Sequence, residues 1–162
     1  MLDIGNGKFT STEKPEKPLT EDESIVAFSM RAFFGSPIQI SSKLDGKVSD
    51  FELAVYCNEE VLSIHQDCGF CTAIPVLRKE KEGTLADVMK KELQDGSCAY
   101  AFFNLGETTE QFLVSFAEPG YVLDVWARED LFHDGKLFLQ IAPHTVQIIR
   151  CEQKPIAISA DC

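Results

Sequence analysis

The spacing of apolar residues changes once along this chain, near residues 68–72, from a helical period to short alternating runs, and that switch limits the folds open to it. Before it, Thr20 with Glu23 and Ser49 with Glu52 have the spacing of capping boxes, in which each side chain satisfies the other residue's free backbone N–H. Ile25, Phe28, Ala32 and Phe33 follow the first on one helical stripe that stops at Gly35. Phe51, Leu53, Ala54 and Tyr56 follow the second, and Asn58 is placed to cap a third helix with Val61, Leu62 and Ile64. Residues 37–41 read as a short strand after a helix, the order of a β/α repeat, whereas residues 8–19 have no period and read as a loop.

After the switch, runs at 72–77, 85–93, 97–103, 111–116, 121–126, 136–141 and 145–151 are apolar or alternating and are separated by turn residues. Asp95-Gly96 between two of them is a hairpin signal. Strands at this spacing predict an antiparallel sandwich or barrel, with the charged residues 78–83 as a loop inside it.

With 162 residues the chain is too short for a complete (β/α)8 barrel of roughly 250 residues. A net charge of −11 and no clustered basic patch argue against nucleic acid and anionic membrane surfaces as partners. No apolar stretch approaches the roughly 18 residues of a membrane span, and Met1-Leu2-Asp3-Ile4-Gly5 lacks the regions of a signal peptide. The six cysteines, Cys57, Cys68, Cys71, Cys98, Cys151 and Cys162, are an even count that does not by itself establish disulfides, so the redox compartment and localisation stay open.

Several stretches together resemble glycoside hydrolase family 27, the α-galactosidases and α-N-acetylgalactosaminidases, in that family's order. Met1-Leu2-Asp3-Ile4-Gly5-Asn6-Gly7 is similar to a segment after the seventh barrel strand, and residues 28–40 resemble the following helix and eighth strand. Asn58-Glu59-Glu60-Val61-Leu62-Ser63-Ile64-His65-Gln66-Asp67 resembles N-K-E-V-I-A-I-N-Q-D, the most specific match. Leu93 to Ser97 with Phe103-Asn104-Leu105-Gly106-Glu107, residues 121–131 around Asp124-Val125-Trp126, and Pro143-His144 with residues 146–150 resemble successive parts of the C-terminal sandwich. Departures are Phe33 for a tryptophan, Ser42-Lys43 for Asn-Asp, His65 for asparagine, and Cys68-Gly69-Phe70-Cys71 for P-L-G.

The resemblance implies that residues 1–70 are the end of a (β/α)8 barrel, its last helices and eighth strand, and residues 71–162 an antiparallel β-sandwich. It implies hydrolysis of terminal α-galactosides with retention and without a cofactor, through two carboxylates about 5–5.5 Å apart. Those aspartates lie in barrel segments expected upstream of Met1, so no catalytic residue is assigned and the chain is expected to be inactive alone. Met1 is the one residue carried over to the sugar pocket, as an apolar wall. An α-galactoside is expected as ligand only when an upstream barrel half completes the site, and the unpaired barrel edges predict self-association.

Two other readings stay open. Cys68 and Cys71 have the spacing of a zinc or redox pair, for which Cys57 and His65 are the nearest further ligands. Trp126 with Tyr121 is either a sugar-stacking platform of a non-catalytic binding module or, for Trp126, core. His133 and His144 read as turn residues, and Gln66-Asp67 as a structural hydrogen-bonding pair.

Overall fold

The computed structural model describes residues 19–40, 48–67, 72–81 and 84–160. Three helices come first: α1 (Glu21–Phe34), α2 (Asp50–Tyr56) and α3 (Glu59–Gln66). Both capping boxes form with both arms, Thr20 with Glu23 and Ser49 with Glu52, and Gly35 ends α1 at φ 62°, where a Cβ would be strained. Asn58 caps α3 by accepting from the N–H groups of Glu60 and Val61, both at 3.1 Å. The stripe of α1 is wider than its spacing suggests, burying Ser24, Val26 and Ser29 along with Phe28, Ala32 and Phe33. In α2 the expected apolar face is partly reversed: Val55 is buried, while Leu53 and Ala54 face solvent.

Nine strands follow: β1 (Ile74–Lys81), β2 (Thr84–Glu92), β3 (Cys98–Asn104), β4 (Glu110–Ser115), β5 (Gly120–Asp124), β6 (Glu129–His133), β7 (Lys136–Ile141), β8 (Thr145–Cys151) and β9 (Ala157–Ala160). All pairings are antiparallel, in a six-stranded sheet ordered β1-β2-β3-β8-β5-β6 and a three-stranded sheet ordered β7-β4-β9. The Asp95-Gly96 hairpin forms as a three-residue loop: Gly96 N–H donates to Leu93 C=O and Leu93 N–H to Ser97 C=O, both at 3.0 Å, with Gly96 at φ 88°.

One face of the large sheet packs on the small sheet through Phe102, Phe112, Val114, Ile141 and Ile149; the other packs on the helices through Met89, Ala101, Phe103 and Ile148 against Phe28, Phe33, Val61 and Ile64. The molecule is therefore three layers, helices over sheet over sheet, and β3 lies between two cores. That is why Cys98 to Asn104 has no polar alternation and every residue in it is buried.

Four expectations need correction. The strand at residues 37–41 does not form: residues 36–39 carry no regular structure, Ile40 makes one isolated bridge, and Ser41 lies outside the described residues. Its expected neighbours in a parallel barrel wall are not present among the described residues, and a strand needs a partner to satisfy its backbone. The charged run from Arg78 to Lys81 is not a loop but the second half of β1, because Arg78 sits directly opposite Asp87 and grips both its carboxylate oxygens at 2.7 and 2.8 Å. The strand expected at 121–126 stops at Asp124, and β6 and β9 were not anticipated.

Candidate functional site

The turn that leaves β5 touches all three helices. Asp124 organises it: one carboxylate oxygen accepts from the N–H groups of Trp126 (3.1 Å) and Ala127 (3.0 Å), while the other accepts from Gln147 Nε2 (2.8 Å). An aspartate holding a turn in this way lets Arg128 take a left-handed conformation at φ 57°. The turn then presents three contacts. The Trp126 indole Nε1–H donates to Ser29 Oγ on α1 (3.0 Å), with the ring edge-on to Phe28; Val125 C=O accepts from Asn58 Nδ2 at the start of α3 (3.4 Å); Arg128 Nη2 donates to Cys57 C=O at the end of α2 (3.2 Å).

A second set of contacts joins α3 to the β2–β3 hairpin. Lys91, buried in the large sheet, donates from Nζ to Ile64 C=O in the last turn of α3, where a cation complements the helix dipole. Asp67 accepts from Gln94 N–H at 3.0 Å, the structural role expected for it. Arg150 on β8 pairs with Asp95 and bonds Ser97 Oγ (3.1 Å), with Glu60 of α3 beside it at 3.8 Å. The two bonds from Ser97, with Arg150 after them, hold the Asp95 carboxyl at about 2, well below its ordinary value.

These residues are architectural. Asp124 spends its carboxylate on the turn, Glu110 on Lys79 and Thr108, and Asp87 on Arg78, so each of these acids already serves a structural contact. Among the described residues no group of three or more His, Cys, Asp and Glu side chains could hold a metal ion. An open depression of about 320 Å³ beside the turn, lined by Asp124, Trp126, Ile141, Thr145, Val146 and Gln147, holds that same engaged aspartate.

Met1, Cys68 and Cys71 lie outside the described residues, so neither the sugar-pocket nor the CxxC reading is placed by this geometry. Cys57 is exposed at the end of α2. His65 donates from Nε2 to Ser36 C=O at 3.0 Å, and its Nδ1 is buried without a hydrogen bond. His144 is a turn residue at φ 57°, as expected. His133 is not: it closes β6, is buried, and stacks on Phe116 with ring centroids 3.9 Å apart, because the strand carries it inward before the turn at Asp134-Gly135. Trp126 and Tyr121 do not form one platform. Trp126 is tied to α1, whereas Tyr121 is 67% exposed and sits opposite Phe132 across β5 and β6, with centroids 5.3 Å apart.

The contacts of Arg150, Lys91 and Asn104 escaped sequence reasoning, since an isolated Arg or Lys in a strand carries no sign of the helix or turn it will reach. Asn104 is fully buried and satisfied on both ends of its amide, donating to Thr108 C=O (2.7 Å) and Ile141 C=O (2.9 Å) and accepting from Gly106 N–H (3.0 Å).

Residues 83–151 match the family model described as the alpha galactosidase C-terminal beta sandwich domain. No curated protein sequence matches the chain. Among solved structures, α-galactosidase I of Mortierella vinacea is 17% identical, covering 82% of this chain and 36% of its own, with a TM-score of 0.69. A Bacteroides fragilis structure described as a putative α-galactosidase/melibiase gives 20% identity, 83% and 29% coverage and a TM-score of 0.73. A family 27 β-L-arabinopyranosidase of Geobacillus stearothermophilus gives 26% identity, 88% and 32% coverage and a TM-score of 0.71. The chain thus spans about a third of the length of these structures.

Proposed function

Given that residues 83–151 are a C-terminal β-sandwich domain of α-galactosidase-like proteins, we propose that this chain serves as the non-catalytic C-terminal part of a retaining α-galactosidase-type glycosidase. In this reading α1 to α3 are the last helices of a (β/α)8 barrel, with a boundary near residue 70, and the sandwich buttresses them. The observation that carries it is the clasp from Asp124 to Arg128, which holds all three helices against the large sheet while leaving Phe34, Ile40 and Leu53 between 44% and 48% exposed on the helical segment. Large apolar side chains in that position suit a further protein layer better than water. The coverage of 82–88% of this chain supports the same reading, since the stretch from β1 to β9 is little more than half of it and the likeness must reach into the helical segment.

Hydrolysis then belongs to the assembled barrel, where two carboxylates can stand at the spacing retention requires. An α-galactoside is bound only when the barrel is complete, and without its other strands the chain associates with itself through the exposed helical face. The test is complementation: the purified chain is assayed on an aryl α-galactoside alone and with a separately produced α-galactosidase barrel lacking its own C-terminal third. Hydrolysis only in the mixture is the expected result. Turnover by the pure chain would overturn the reading.

The exposed Tyr121–Phe132 pair favours a second reading, a carbohydrate-binding module, since aromatic rings at this exposure stack on sugar faces. Galactoside affinity of the isolated chain that disappears in Tyr121→Ala would support it over the first.

A further inference from the structure

We propose that Cys98 and Cys151 form a covalent modification site, a cross-strand thiol pair that closes to a disulfide when the chain folds under oxidising conditions. The two are direct register partners, Cys98 opening β3 and Cys151 closing β8, and both face the core between the two sheets. Both are free thiols and almost fully buried, at 0% and 1% exposure. Opposed residues of an antiparallel pair have Cα atoms about 4.5 or 5.5 Å apart, and a disulfide accepts roughly 4.4–6.8 Å, so the register places the Cα atoms within that range and a small closing of the Cβ separation completes the bridge. The closed loop runs from residue 98 to 151 and would enclose β4 to β7, tying the central strands of the large sheet around most of the small one.

The oxidant required is a small-molecule disulfide. One cysteine thiolate attacks it, forming a mixed disulfide and releasing the first small thiol. The second cysteine thiolate then attacks the protein sulfur of that intermediate and releases the second small thiol. In balance, two protein thiols and one small disulfide become one protein disulfide and two small thiols; two electrons pass to the small disulfide, and the two cysteine protons end on the released thiols.

Burial decides when this happens. Desolvation pushes the Cys151 thiol up to about 12 and raises Cys98 as well, so the folded sheet holds almost no attacking thiolate. Closure therefore belongs to folding, when the strand ends are still open, and a chain that has folded reduced resists later oxidation.

The test refolds the full chain from denaturant in a mixture of reduced and oxidised glutathione, then blocks free thiols and maps the peptides by mass spectrometry. The expected result is a linked peptide pair carrying Cys98 and Cys151, two hydrogens lighter than the reduced pair, and a thermal midpoint about 10 °C above that of the reduced chain. The same oxidant added to chain already folded reduced should leave both thiols blockable after denaturation. A variant with Cys57, Cys68, Cys71 and Cys162 all changed to Ser keeps only this pair and should still link. If both thiols of that variant are blocked after oxidative refolding, or if the wild-type chain links Cys98 mainly to another cysteine, the proposal fails.

Discussion

Asn104 has no exposed surface, and its amide joins the loop after β3 to the end of β7 through three bonds of 2.7–3.0 Å. Asn104→Ala removes the buried amide that donates to Ile141 C=O and accepts from Gly106 N–H, so urea unfolding should show a loss of about 3 kcal/mol. A loss under about 0.5 kcal/mol would mean that water reaches these groups. Asp95 behaves differently because it is half exposed. Its bonds with Ser97, then Arg150, depress the folded carboxyl to about 2 from an ordinary value of 3.8. A depressed carboxylate contributes stability that is complete above its ordinary value and lost as pH falls through the folded one. The thermal midpoint gap between wild type and Asp95→Ala should therefore be constant above about pH 5 and shrink between about pH 4 and pH 2; a gap that ignores pH would remove the charge from the explanation. In sequence terms Asp95-Gly96 announced the hairpin through local turn chemistry, but not the reach of Arg150 across the sheet, a contact 55 residues away.

At the scale of elements, what was legible is what local chemistry dictates. Both capping boxes, the Asn58 cap and seven of the strands follow from spacing and turn residues, and they form. The misses have tertiary causes. β6 begins Glu129-Asp130, charges that mark a loop until it is seen as the edge of the large sheet, where charge guards an open ladder. β9 is only four residues, Ala157-Ile158-Ser159-Ala160, held by pairing to β4 alone. The turn 124–128 looked like strand because Val122, Asp124 and Trp126 continue the alternation of β5; the N–H groups of Trp126 and Ala127 donating to the Asp124 carboxylate, with Arg128 N–H donating to Asp124 C=O, end it. That turn is also where an element can be loosened singly. Trp126→Phe keeps the ring but removes the bond to Ser29 Oγ, and should lower stability by about 1 kcal/mol while speeding amide exchange in α1 more than in β4 and β7. Equal acceleration in all three would place Trp126 outside the clasp.

For the whole molecule, the change of period near residue 70 separates helices from strands without separating two cores. Phe103, Ala101, Met89 and Ile148 are buried only because Phe28, Phe33, Val61 and Ile64 lie on them. The large sheet therefore differs from a free-standing sandwich, in which the outer face would alternate with polar residues. A chain cut to residues 72–162 would turn that apolar face, together with Lys91 deprived of Ile64 C=O, toward water. Exposing Met89, Phe103 and Ile148 at about 1.5–3 kcal/mol each costs roughly 5–9 kcal/mol, comparable with the roughly 5–15 kcal/mol by which a domain of this size is normally stable. Residues 72–162 should accordingly aggregate or give a poorly dispersed amide NMR spectrum, while the full chain unfolds in one transition with helix and sheet signals lost together. A soluble fragment with a dispersed spectrum would show instead that the sandwich folds by itself and that the helices dock on it as a separate unit, in which case the clasp at residues 124–128 becomes a joint between two bodies instead of part of one core.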